Sequence, residues 1–294
     1  MHSRARRPIR GSDDRMSVPE APGPKTPVEP KPAASVVLVR DAQPGSPEPI
    51  EVYMIRRNRN MRFLGGYYAF PGGKVDPGDG ASEALARCRG IDAAEAEGLF
   101  TGHEGTPALA FWVTAVRELL EESGIMLACD KDGRACDPTA VRTRDAIERC
   151  RKALMAGEAP FVELIAREDW YCDLHALRYL CHFITPTSSP IRFTARFFLM
   201  PTPPGQEPRL FTEETSEGFW IFPGEGYRRF LSGDMKMAEP GEYGLGYLAQ
   251  FSSVAELMAA HADGRHKFQG IADRMEVMWS SFDWKQNRFP SLTS

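Results

Sequence analysis

Two hydrophobic periods share this chain. Residues 33 to 39 form a nearly continuous apolar run, the pattern of a largely buried strand. A Pro/Gly turn separates it from Ile50 to Arg56, where side chains alternate, so the two segments predict a β-hairpin. Tyr179 to Thr185 and Ala195 to Met200 make a second strand-like pair around a Pro/Ser loop, and Gly218 to Phe222 a further short strand. The remaining pattern is helical. It is clearest over Phe111 to Glu122 and returns in Thr139 to Met155 and in Gly244 to His261, with Ser252 or Ser253 as a cap. Strands with helices outside them predict an α/β or α+β sandwich.

Composition narrows the classes. At 294 residues, 42% hydrophobic and 26% charged, the chain is ordinary for a globular protein. Residues 1 to 32 carry seven prolines and no aromatic residue, which predicts a disordered arm ahead of an ordered region beginning at Ala33. No apolar run reaches the roughly 18 residues of a membrane span, and no apolar segment follows the first arginines, so the expectation is a cytoplasmic protein without a membrane partner. The six cysteines show no metal-ligand spacing and read as reduced thiols. A formal charge of -4 argues against a nucleic-acid polymer as partner but leaves small phosphorylated ligands open.

The candidate chemistry lies in one helix and one loop. Along Phe111 to Glu122, Leu109, Trp112, Val116, Leu119 and Leu120 make an apolar stripe, and Glu118, Glu121 and Glu122 project from the opposite side. Glutamates at i, i+3 and i+4 repel one another unless cations sit among them, and Mg²⁺ prefers such oxygen ligands. Arg117 precedes Glu121 by four residues and can hold its carboxylate, while Gly124 is placed to end the helix. A solvated helix face would carry the same glutamates. The upstream loop, Phe70-Pro71-Gly72-Gly73-Lys74-Val75-Asp76-Pro77-Gly78-Asp79, adds glycines that allow close backbone approach to a metal or phosphate.

Together these segments resemble the Nudix hydrolases, whose signature runs G-x5-E-x7-R-E-U-x-E-E-x-G-U, with U bulky and aliphatic. Gly73 and Asp79 match its first half, and Arg117 to Ile125 its second. Two departures stand out. Asp79 replaces a glutamate, and 37 residues, Gly80 to Val116, stand where seven are usual. An insertion of that kind, about residues 80–107, resembles the peroxisomal-type coenzyme A diphosphatase branch. Members of that branch carry R-[SA]-x3-R-x3-G-x3-F-P-G-G just before the signature. Arg57, Arg62, Gly66 and Phe70 to Gly73 fall at this spacing, with Asn58 at the Ser/Ala position.

The resemblance implies a Nudix α/β/α sandwich with a mixed β-sheet over residues 33–232, with the insertion shaping the substrate mouth and a helical C-terminal extension over 233–294 packed on the same domain. It implies Mg²⁺ or Mn²⁺ held by Glu118, Glu121, Glu122 and the Gly72 carbonyl. By the same resemblance Arg117 would be a supporting catalytic residue and Glu121 or a later glutamate such as Glu217 the base, with Glu214 or Glu217 the later acidic residue that reaches the metals and Asp79 a further site candidate outside the metal triad. Arg57, Arg62, Gly66 and Gly73 would bind a small-molecule diphosphate, with Tyr67 or Tyr68 stacking on adenine. The implied reaction is cleavage of coenzyme A or acyl-coenzyme A to 3',5'-ADP and 4'-phosphopantetheine or its acyl form. A nucleoside diphosphate-sugar or dinucleotide pyrophosphatase and a non-catalytic nucleotide sensor are the alternatives, and a homodimer is compatible with the residues.

Overall fold

The computed structural model describes residues 28–61, 64–100, 103, 105–209, 215–265 and 268–270. Most of the N-terminal arm, Arg62, Glu214 and residues 271–294 therefore lie outside the described residues. A mixed sheet divides the molecule into three layers. Its long strands are β1 (Lys31–Asp41), β2 (Ile50–Arg57), and, much later, β8 (Arg178–Ile184), β9 (Phe193–Pro201) and β10 (Thr215–Ile221). In space their order is β10-β2-β1-β9-β8, continued by a short β11 (Phe268–Gly270). The predicted hairpin is present: β1 and β2 pair antiparallel through Val39 and Val52. They then splay, and β3 (Tyr68–Ala69) pairs with β2 while β4 (Gly72–Lys74) pairs with β1. On its other side β1 runs parallel to β9.

Alternation within the buried strands assigns each side chain to a layer. Val36 and Leu38 of β1 face a core shared with α3 (Ala108–Ser123), and Val37 and Val39 face a second core. That second core is closed by α6 (Pro223–Leu231), α7 (Glu239–Leu248) and α8 (Val254–Ala260) through Tyr227, Tyr243, Leu248 and Leu257. The continuous helix expected from Gly244 to His261 is two helices. Ser253 starts the second, its hydroxyl accepting the Glu256 N–H at 3.1 Å, and the Val254 N–H goes to Asp41 at 2.8 Å. Nor are residues 233–294 helical throughout where described, since β11 extends the sheet parallel to β8.

Residues 80–107 contribute α1 (Ser82–Ala86), β5 (Cys88–Arg89) and α2 (Ala93–Leu99). β5 joins β6 (Ala128–Cys129) and β7 (Tyr171–Asp173) in a separate three-stranded sheet. Two helices, α4 (Val141–Met155) and α5 (Phe161–Arg167), pack beside it, so that α1, α2 and α4 cover the side of α3 turned from the main sheet. This corrects the two-faced reading of α3: only Glu121 of its residues escapes burial, because protein lies on both sides. Gly124 ends the helix with φ 71°, as its sequence position predicts. All six cysteines are free thiols, and no described helix is long and apolar enough to cross a membrane.

Trp112 joins the layers. It is 1% exposed, stacks on Phe100 at 4.8 Å and meets Phe198 of β9 at 4.7 Å. Trp112→Ala is expected to cost about 3 to 5 kcal/mol of unfolding free energy, measured by urea denaturation.

Candidate active site

The end of α3 meets the glycine strand β4, and the contact depends on missing side chains. A Cβ on Gly73 would fall on the Glu118 carboxylate, and one on Gly72 would fall on Ser35 and the Ala34 carbonyl. Only glycine lets this backbone lie between β1 and the acidic turn.

Arg117, 4% exposed, organises the carboxylates. Its Nε donates to Asp79 Oδ1 at 3.0 Å and its Nη2 to Asp79 Oδ2 at 2.9 Å, a bidentate pair. Nη1 reaches Glu118 at 2.8 Å and Glu121 at 3.1 Å, and Nη2 also donates to the Lys74 carbonyl at 2.8 Å. Asp79, in a 3₁₀ turn at Pro77–Gly80, accepts further bonds from Thr114 Oγ1 at 2.8 Å and the Asp76 N–H at 3.0 Å. Burial pulls the Arg117 pKa down, but the Asp79 bond and the charges of Glu118, Asp79 and Glu121 hold it above its ordinary value. Burial raises Glu118 to about 7, with Arg117 opposing the shift and Glu121 adding to it. The last turn is fixed from outside by Arg151 of α4, which donates to the Glu121 carbonyl at 2.9 and 3.1 Å.

Glu118 and Glu121 line a cavity of about 740 Å³, together with Arg117, Gly72, Gly73, Lys74 and Asp76. Arg57 lines it too, and its Nε is buried without a hydrogen-bond partner among the described residues. Tyr67 and Tyr68 also lie on the wall, Tyr68 already packed edge-on against Phe219 at 5.7 Å. Gly66 instead closes the loop behind Arg57, donating its N–H to the Arg57 carbonyl at 3.0 Å.

Several features expected at the site lie outside the cavity lining. Glu122 does not line the cavity: it is buried, and its Oε2 accepts the Gly72 N–H at 2.7 Å. Glu217 also lies outside the lining, because β10 pairs it with Arg56 of β2 and the side chains form an ion pair at 2.6 Å. No described residue of the 80–107 insertion lines the cavity, since these elements cover the far side of α3. Three histidines make their contacts outside the cavity lining, with His182 on Thr194 at 2.7 Å, His175 on Asp173 at 2.8 Å and His103 on Glu97 at 3.1 Å.

Among the described residues no three His, Cys, Asp or Glu side chains gather as a preformed metal cluster. The donor set nevertheless suits a hard divalent cation: Asp79, Glu118 and Glu121 surround a single guanidinium, Glu122 holds the adjacent Gly72 N–H, and Glu118 and Glu121 open to the cavity. One or two carboxylates, with water and phosphate oxygens, are the usual protein share of a Mg²⁺ shell. The sequence reading missed the apolar part of the wall, including Phe183, Phe193 and Phe197, since both faces of β8 and β9 are apolar in sequence.

The sequence profile of the NUDT19 Nudix domain matches residues 30–248. The acyl-coenzyme A diphosphatase NUDT19 of Gallus gallus is 28% identical over 271 residues, covering 79% of this chain and 71% of its own length. The Homo sapiens protein of the same name is 26% identical over 276 residues, with coverages of 76% and 70%. The crystal structure of a NUDIX hydrolase from Alicyclobacillus acidocaldarius superposes with a TM-score of 0.60 at 30% identity, over 79% of this chain and 96% of that one.

Asp79→Ala would leave the buried Arg117 charge without its bidentate partner, an expected loss of about 3 to 5 kcal/mol in chemical denaturation. Much of that loss should return in Asp79→Ala/Arg117→Met, where no buried charge remains; equal stabilities of the single and double variants would contradict the pairing.

Proposed function

The chain belongs to the NUDT19 Nudix domain family, and from that premise we propose that it cleaves the diphosphate of coenzyme A and acyl-coenzyme A to 3',5'-ADP and 4'-phosphopantetheine or its acyl form. As a Nudix hydrolase it is an enzyme that splits phosphorus-containing anhydrides with the help of divalent metal ions. The observation carrying the coenzyme A reading is one cavity wall that presents Glu118, Glu121, Gly72, Gly73 and Lys74 together with the unpaired Arg57 Nε. The first set suits a diphosphate and its cations. Arg57 supplies a further cationic donor for the 3'-phosphate that distinguishes coenzyme A.

In this reading Glu118 and Glu121 would hold Mg²⁺ or Mn²⁺, an ion that neutralises the diphosphate and acidifies water. Lys74, exposed on the wall, draws the phosphate oxygens toward β4. Arg117 keeps Glu118 and Glu121 oriented through Nη1, and Glu122 positions the loop by holding the Gly72 N–H. The partly exposed Glu121 carboxylate takes the proton of the attacking water. The water oxygen bonds to one phosphorus, the bridging P–O bond breaks, and its electron pair leaves with the other phosphate. Glu217, held by Arg56, takes no part in this scheme.

Glu121→Gln is expected to lower kcat at least about a hundredfold with the fold intact by circular dichroism. Near-normal turnover would remove Glu121 from the mechanism. Arg57→Ala should reduce kcat/KM for coenzyme A by roughly ten- to 150-fold more than for dephospho-coenzyme A, the worth of one charge-assisted hydrogen bond. Equal losses on both would place Arg57 on the shared diphosphate, and a wild-type preference for ADP-ribose or NADH would overturn the substrate.

A further inference from the structure

Tyr53 carries a hydroxyl that the fold buries without a partner. The residue is 2% exposed, and among the described residues its Oη makes no hydrogen bond. Such a hydroxyl costs free energy that phenylalanine at the same place would not. Its position is set by the sheet. β1 and β2 part beyond the Val39–Val52 pair, and Tyr53 is the next residue of β2. Strand alternation turns its ring, with Ile55 of β2 and Val36 and Leu38 of β1, toward α3, where Glu122 is buried in the last turn.

The ring is fixed from behind. Trp220, opposite Tyr53 in the β10–β2 register, meets it edge-on at 5.5 Å. Arg40 lies over Trp220 at 4.1 Å and is itself held by Glu51 at 2.8 Å. Tyr53 does not line the cavity, so its hydroxyl faces neither bulk water nor substrate. The charged group near it is Glu122. Burial first, and then the charge of that carboxylate, push the phenol up to about 12, so it keeps its proton at neutral pH and can donate it. Glu122 already accepts the Gly72 N–H on Oε2 at 2.7 Å, and an ionised carboxylate has room for several donors on its two oxygens.

We propose that Tyr53 is a positioning residue for Glu122: its hydroxyl is a second donor, beside the Gly72 N–H, that holds this carboxylate in the orientation the cation site needs. The proposal rests on the reading of the acidic turn as that site. The Tyr53–Glu122 bond forms as the carboxylate reorients for a cation held by Glu118 and Glu121. Donors that orient ligands in this way are worth roughly ten- to a hundredfold in metal affinity. The hydroxyl therefore lowers stability in the metal-free protein and strengthens cation binding in return.

The test removes one oxygen atom. In Tyr53→Phe, Mn²⁺ affinity without substrate, read from free Mn²⁺ by electron paramagnetic resonance, should fall roughly ten- to a hundredfold. With saturating Mn²⁺, kcat for coenzyme A should fall while its KM changes less than about threefold, because the hydroxyl touches no substrate. The metal-free variant should unfold at the wild-type urea concentration or a higher one, since an unsatisfied buried hydroxyl is gone. A merely structural tyrosine would give the opposite pair of results, a lower urea midpoint with unchanged Mn²⁺ affinity. In Glu122→Gln, which keeps Glu118 and Glu121 for the cation, adding Tyr53→Phe should change Mn²⁺ affinity less than about twofold, the signature of two coupled groups. Wild-type Mn²⁺ affinity in Tyr53→Phe, or an equal loss with and without the Glu122 carboxylate, would overturn the proposal while leaving the cation site standing. Failure of the wild-type protein to bind Mn²⁺ would overturn the cation site itself.

Discussion

One guanidinium holds the site together. Arg117 is buried at the end of a helix that protein covers on both sides, a position where a lone charge would be very costly. Asp79 makes it tolerable by taking both Nε and Nη2, and the remaining donors then fix Glu118, Glu121 and the Lys74 carbonyl. Loop, turn and helix are thus tied to one cation. The carboxylates gain orientation from it, and their excess negative charge stays available for divalent ions.

The sheet supplies the second constraint. Splaying of β1 from β2 opens room for β3 and β4, and the glycines of β4 let a layer of backbone pass between β1 and Glu118. The acidic turn belongs to the layer of α3, whereas the apolar part of the cavity wall belongs to the layer of α7, and the cavity joins them at β4. The inserted elements serve a different purpose: together with α4 they bury the outer side of α3, and Arg151 of α4 holds its last turn.

The principal strands, α3 and its glycine cap, and the pairing of Arg117 with Glu121 were legible in the sequence because each depends on local spacing. So was the nearness of the glycine loop to the glutamates, through a motif rather than through periodicity. The bond from the Gly72 N–H to Glu122 was not legible, because spacing on a helix says which side chains are neighbours, not which backbone group from a distant strand meets one of them. The pairing of Glu217 with Arg56 was equally hidden, because it is supplied by strand register, which two distant segments settle only on pairing. The apolar part of the cavity wall was invisible for a related reason: strands apolar on both faces do not reveal which residues meet a core and which meet a cavity. Arg62 and Glu214, outside the described residues, stay sequence expectations.

The most direct test of the account is hydrolysis of octanoyl-coenzyme A by the wild-type protein with Mg²⁺ in water enriched in ¹⁸O, read by mass spectrometry. The account predicts 3',5'-ADP and octanoyl-4'-phosphopantetheine, with one ¹⁸O in the phosphate of one product and the thioester intact. Release of octanoate with coenzyme A left whole, or an unchanged substrate under conditions where another diphosphate is cleaved, would contradict it.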